Sequence, residues 1–268
     1  MKPKAIIFDL DDTLLVEQPS AWAAFRACGE MVAARFDQVD PDHFVETIRA
    51  RAREIWYAGP MHSFCKSIAI SSWEGMWGNF AGDDDELRQL REWVPQYRLE
   101  SWQATLAEYK IDDIELAREL VEYFPARRRE MHVHVPGAME VLEAVRPHFP
   151  LALVTNGASG IQREKLAGAG FAHYFDAIVI SGEIGTRKPD PLPFQRALEA
   201  LGVQPSEAIV VGNSLNSDIG GAHAAGIPSI WLNLDNKPHP DPDAKARPAH
   251  VIRHLAGLLP LLALDENR

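Results

Sequence analysis

The strongest constraint on how this chain can fold is a set of five short apolar runs, at residues 5–8, 151–154, 177–180, 208–211 and 229–232, each closed by a polar or glycine-containing turn. Runs of this length, apolar on successive rather than alternate residues, predict strands buried on both faces. Between the later runs lie segments of helical length with periodic apolar residues, at 137–145, 161–169, 193–201 and 218–225. Strand and helix in alternation predict an α/β fold, with a mostly parallel sheet covered by helices on both faces.

The stretch 17–133 follows a different rule. It has no strand-like alternation but several helical periods, as in Phe44, Ile48 and Arg51, or Leu116, Leu120, Val121 and Phe124. It is expected to be an all-helical insertion, leaving residues 1–16 and 134–268 as the α/β core. Acidic residues at 83–86 mark a helix start, where negative charge offsets the positive end of the helix dipole. Six of the seven tryptophans (Trp22, Trp56, Trp73, Trp77, Trp93 and Trp102) fall in the insertion. A small helical domain needs such large side chains to bury enough surface. Residues 235–248, rich in Pro and Asp, are expected to form a surface loop, and 254–264 a final amphipathic segment. No internal repeat is present.

A chain of 268 residues that is 46% hydrophobic can build a sizeable core. Its formal net charge of -11 disfavours nucleic acid as a partner and favours small molecules. Cys28 and Cys65 have no metal-type spacing and make no disulfide framework, which fits a reducing, cytoplasmic setting. The apolar run before Asp9 is too short for a secretory signal, and the apolar stretch 255–264 is broken by Pro260. That stretch falls short of the roughly 20 residues that span a bilayer, so no membrane association is expected.

The chemistry-bearing residues fall at strand ends. The first strand runs into Asp9-Leu10-Asp11-Asp12-Thr13, which places two carboxylates two residues apart at the edge where open parallel sheets bind ligands. The second ends at Thr155-Asn156-Gly157, a hydroxyl and backbone N–H groups ahead of a helix that can hold phosphate oxygens. After the third comes Arg187-Lys188-Pro189-Asp190-Pro191, in which the prolines stiffen the chain carrying Lys188. The fourth ends at Gly212-Asn213-Ser214-Leu215-Asn216-Ser217-Asp218, with oxygen ligands and a carboxylate. Each alone has an ordinary explanation as a turn, a cap or a surface lysine. Their order along one sheet is what carries meaning.

Together they resemble the four motifs of the haloacid dehalogenase superfamily over most of residues 4–234, apart from the helical insertion. The insertion resembles the cap of the subclass whose cap follows the first motif. The resemblance implies a Rossmann-like core with a mobile lid, and a phosphatase acting on a small phosphorylated metabolite. Asp9 would be the nucleophile and Asp11 the acid/base, the latter favouring phosphate over halide chemistry. A carboxylate is a competent nucleophile at phosphorus once the charge repulsion is relieved, and a second carboxyl can shuttle the proton. Thr155 and Asn156 would bind the transferring group, and Lys188 would neutralise it together with Asp9. The implied cofactor is Mg²⁺, held by the Asp9 carboxylate, the Asp11 backbone carbonyl and a side chain of the fourth motif, Asn213 or Asp218. Asp12 caps the turn. The departure is Asn213, where the family usually has Asp: an amide oxygen without charge predicts weaker metal binding. A phosphomutase sharing the same intermediate and a phosphometabolite-binding protein without turnover are the rival readings. His132 and His134 are taken as surface or hinge residues, and Arg127 to Arg129 as a solvated helix face.

Overall fold

The computed structural model of the protein describes residues 3–82, 84–238 and 246–264. Six strands form one parallel sheet in the order β5-β4-β1-β6-β7-β8: β1 Ala5–Phe8, β4 Leu151–Thr155, β5 Ala177–Ile180, β6 Ala208–Gly212, β7 Ser229–Leu232 and β8 His250–Ile252. The first five are the apolar runs read from the sequence, and every residue of β1, β4 and β7 is buried. β8 escaped that reading because it is three residues long and only Ile252 is buried. Two further strands of two residues each, β2 (Leu15–Val16) and β3 (Val133–His134), pair antiparallel as a separate ribbon.

Among the described residues, twelve α-helices accompany the strands: α1 (Gln18–Ala33), α2 (Pro41–Ala58), α3 (His62–Ile68), α4 (Ser72–Gly75), α5 (Asp85–Glu108), α6 (Ile114–Glu130), α7 (Ala138–Val145), α8 (Ser159–Gly168), α9 (Ser181–Ile184), α10 (Leu192–Leu201), α11 (Gly220–Ala224) and α12 (Leu258–Leu261). None of the described helices is long and apolar enough to cross a membrane. One sequence-based expectation is corrected. The helix predicted over 218–225 is instead a π-helical turn, Leu215–Ile219, running into α11, because Ser214 caps the turn three residues earlier. The final segment is a 3₁₀ turn, Leu255–Gly257, followed by one turn of α-helix, with Leu255, Leu258 and Leu259 buried.

The chain divides into two compact units. The first takes the chain up to Val16, Val133–Gly157 and the residues from Ala169 onward; the second takes Glu17–His132 and Ala158–Gly168. In the first, alternate residues of the sheet, among them Ile7, Ala152, Val154 and Val210, pack with Phe194, Ala197 and Leu198 of α10 and Ala222 of α11. By strand alternation Ile6, Phe8 and Leu153 face the other way.

Among the described residues, the second unit contains helices and their connections and no strand. Its core is aromatic: Phe25 stacks on Phe124 with ring centres 4.1 Å apart, and Trp102 meets both edge-on. Trp56, Trp77 and Trp102 are fully buried, while Trp22, Trp73 and Trp93 pack half-buried against them, as the packing argument requires. Local signals set the helix starts. Asp40 and Asp113 accept hydrogen bonds from the N–H groups of His43 and Leu116, and Ser71 and Glu74 form a reciprocal capping box. α5 starts behind Asp84, within the acidic run, whose Asp83 lies outside the described residues. Half of the predicted surface loop 235–248 is likewise outside them, at 239–245. Cys28 and Cys65 are buried free thiols.

The run Arg127 to Arg129 is not one solvated face. Arg128 is only 2% exposed and donates from Nη2 to Glu17 Oε2 at 2.6 Å. The sequence could not show this partner, which lies 111 positions away. His132 and His134 are half-buried, and His134 Nε2 bonds the Ala169 carbonyl at 3.0 Å.

Candidate active site

β1 lies between β4 and β6, so the chain crosses from one side of the sheet to the other around it. In open α/β sheets this switch point opens a crevice at the carboxyl ends of the strands. Phe8 is level with Leu153 on one side and Val211 on the other. The next residues on each strand, Asp9, Val154 and Gly212, therefore emerge together at that edge.

Lys188 joins them. Its ammonium donates to Asp9 Oδ1 at 2.6 Å, Asp218 Oδ1 at 2.7 Å and the Val154 carbonyl at 2.7 Å, which uses all three of its protons. Lys188 is 3% exposed, Asp218 1% and Asp9 8%. The lysine is set from behind by Asn156, whose Oδ1 accepts from the Lys188 N–H at 2.9 Å while its Nδ2 donates to the Lys188 carbonyl at 3.2 Å. The structure thus brings Asp9, Lys188, Asp218 and the Thr155–Asn156 turn into one place. Thr155, the last residue of β4, is buried there, and Asp11 stands half-buried two residues beyond Asp9. Asp12 occupies a tight turn with φ 57° and donates its N–H to the Leu15 carbonyl.

Three residues to which the sequence reading gave no role complete the arrangement. The Thr13 hydroxyl donates to Asp9 Oδ2 at 2.8 Å, so both carboxylate oxygens of Asp9 are held. The Trp231 indole N–H donates to the Asn213 carbonyl at 2.9 Å and fixes the loop after β6. The Ser181 hydroxyl accepts from the Gly157 N–H at 2.9 Å. Thr13 alone had a sequence signal, a hydroxyl four residues after the first carboxylate; the other two contacts join separate strands.

Gly212 is required by packing, since a Cβ there would come within 2.5 Å of the Asp218 side chain. Asp218 is also held by the Ser214 N–H, which donates to Oδ2 at 2.9 Å. Burial pushes the Asp9 carboxyl up to about 7, the Asp218 charge adds to the push, and Lys188 pulls against both. Lys188 is held above its ordinary range by the two carboxylates, which outweigh its burial. The site therefore carries more negative charge than one lysine offsets, and it suits a further cation.

The donors available to such a cation are hard oxygens: the Asp9 and Asp218 carboxylates, the half-buried Asn213 amide and backbone carbonyls. Among the described residues, no three His, Cys, Asp or Glu side chains gather as a ready-made cage. A Mg²⁺ ion, which keeps several waters and takes one or two carboxylates plus phosphate oxygen, fits so sparse a set.

Comparison with known proteins agrees with this geometry. Residues 3–226 match the family model of the haloacid dehalogenase-like hydrolases. The phosphoserine phosphatase of Thermus thermophilus is 35% identical over 241 residues, covering 90% of this chain and 92% of that protein. Among solved structures, the magnesium-bound putative HAD-hydrolase YfnB from Bacillus subtilis aligns with a TM-score of 0.65 at 23% identity, over 98% of this chain and all of that one. A 2-haloacid dehalogenase from Pseudomonas syringae aligns at 0.58 and 26% identity, over 97% of this chain and 98% of that one. With the four motifs at one sheet edge and an acidic residue at position 11, the chain belongs to the haloacid dehalogenase-like hydrolases and is a phosphatase of that family.

Proposed function

We propose that the protein hydrolyses a small phosphate monoester in a Mg²⁺-dependent reaction through an aspartyl-phosphate at Asp9. The observation that carries this reading is the Asp9 carboxylate, buried and gripped at both oxygens by Lys188 and Thr13 beside the Thr155–Asn156 turn. The likeness to a phosphoserine phosphatase over nine-tenths of the chain makes phosphoserine the first ester to try.

In the first step an Asp9 carboxylate oxygen attacks phosphorus and the ester oxygen leaves, taking a proton from Asp11. In the second, water attacks the phosphoryl group as Asp11 takes back a proton, the acyl phosphate bond breaks, and inorganic phosphate departs with Asp9 regenerated. Thr155 and the Asn156 N–H hold the phosphoryl oxygens, and Lys188 offsets the charge they share with Asp9. Bound Mg²⁺ would supply the remaining charge compensation. Its protein ligands would be the Asp9 carboxylate, the Asp11 carbonyl and a donor after β6. Asp218 is only 1% exposed, against 8% for Asp9, and is turned to Lys188 and the Ser214 N–H, whereas Asn213 is half-buried. That favours the Asn213 amide as the direct ligand, with Asp218 holding the lysine.

The test is phosphate release from a panel of monoesters headed by phosphoserine, with and without Mg²⁺, comparing the parent chain with Asp9→Asn. Metal-dependent release that disappears in the variant is expected. No release from any ester, with phosphoryl transfer to an organic hydroxyl instead, would replace hydrolysis by a mutase reaction.

A further inference from the structure

Helix α8 follows the Thr155–Asn156–Gly157 turn directly, yet it belongs to the helical unit rather than to the unit of the sheet. Ala158 and Ile161 are part of the helical unit's apolar core. The close approach is built from small residues: a Cβ on Gly160 would strike the Asn79 side chain, and one on Gly168 would strike the His132 ring.

At the centre of this packing lies a buried ionic quartet. Lys165 of α8, 0% exposed, reaches Glu74 Oε1 at 3.0 Å and Glu17 Oε2 at 3.3 Å. Glu17 Oε2 also takes the Arg128 guanidinium at 2.6 Å, and Glu74 Oε2 accepts from the Ser71 N–H and hydroxyl at 2.8 and 2.7 Å. Arg129 pairs with Glu164 on the outside of the same helix. Two cations and two anions balance in a buried place, where breaking one member costs far more than at a surface. Three of its members lie close in sequence to points where the chain passes from one unit to the other. Glu17 is the first residue after β2, Arg128 comes shortly before β3, and Lys165 lies in the segment 158–168.

We propose that Lys165 is a positioning residue: by fastening α8 to the helical unit, it makes that unit's movements pull directly on the Thr155–Asn156 turn. Gly157, with φ 137°, is the joint between the turn and the fastened helix, in a conformation that side chains rarely adopt. The Ser181 hydroxyl, which holds the Gly157 N–H, anchors the near side of that joint. The catalytic consequence rests on the phosphatase reading above; the mechanical one does not.

Hydrogen exchange under mild denaturant on the full chain separates the two. In the parent, amides of 161–168 are expected to open with the free energy and denaturant dependence of α1 and α6, not of β4. In Lys165→Met their exchange is expected to accelerate about tenfold or more relative to α6. Glu74→Gln, which keeps the Ser71 contact, serves as the second variant should the first not fold. Amides of 161–168 that track β4 in the parent, or that are unchanged in both variants, would overturn the proposal. With an ester turned over by the parent, Lys165→Met is expected to lower kcat about tenfold while KM stays within about twofold. An unchanged kcat would overturn the positioning role. A parent that releases no phosphate would sink the phosphatase reading and leave the exchange result standing.

Discussion

Asp9 is expected to destabilise the fold that it serves, and the effect has a definite sign and size. Its carboxyl is raised from 3.8 to about 7, first by burial and then by Asp218. Between those values the folded protein holds a proton that the unfolded chain has released, so folding stability falls as pH rises through that window. Below about 4 the group contributes nothing, and above 7 its full penalty is present. At about 1.4 kcal/mol per pH unit, the span corresponds to roughly 4 kcal/mol, of which about 3 falls between pH 5 and pH 8. Urea unfolding of parent and Asp9→Asn at those two pH values, in the presence of a chelator, reads it directly. The stability of the parent relative to the variant should drop by about 3 kcal/mol from pH 5 to pH 8. Added Mg²⁺ should restore much of the difference at pH 8, because a ligand that binds only the folded state stabilises it. Parallel pH profiles for the two proteins would refute the reasoning, since the carboxyl would then titrate alike folded and unfolded.

Other outcomes follow from other parts of the molecule. Phe124→Ala removes a ring stacked at 4.1 Å on Phe25 in a fully buried setting, and should cost about 3–5 kcal/mol in denaturant unfolding with the first unit's sheet retained. His132 is held below its ordinary range by burial and then by Arg128. The unfolded chain therefore binds its proton more readily, and stability should fall as pH drops through the mid-6 range, a slope that His132→Gln should lessen. Burial pushes the Cys65 thiol up to about 12 and the Cys28 thiol higher still. Neither should react with iodoacetamide in the native protein at pH 8, and both should react in urea; native labelling would contradict their burial. Asn213→Asp should lower the Mg²⁺ concentration needed for half-maximal phosphate release, and an unchanged requirement would mean that Asn213 does not set it.

What the sequence disclosed followed physical range. The five sheet-forming runs were legible because strands buried on both faces must be apolar along their length, and the motifs because each immediately follows such a run. Asp9 and Lys188 could be nominated in this way, although the sequence did not show that Lys188 would also bond Asp218 and Val154. Contacts between distant segments left no local trace. Arg128 reads as one of three consecutive arginines until Glu17 is brought to it, and Trp231 reads as core until its indole N–H is found on the Asn213 carbonyl. The two-residue ribbon β2–β3 was too short to show any period. The π-helical turn before α11 depends on the Ser214 cap, which hydrophobic spacing does not register.

The place of α8 also bears on how relatives of this chain could be recombined. A graft that exchanged only the continuous stretch 17–132 would carry Glu17, Glu74 and Arg128 into a new host but leave Lys165 and Ile161 behind. The donated helices would then face a foreign α8, with two buried carboxylates lacking their lysine and Gly160 and Gly168 no longer matched to Asn79 and His132. The helical unit is made of two separate pieces of sequence, and exchanging 158–168 along with the insertion should decide whether the hybrids fold.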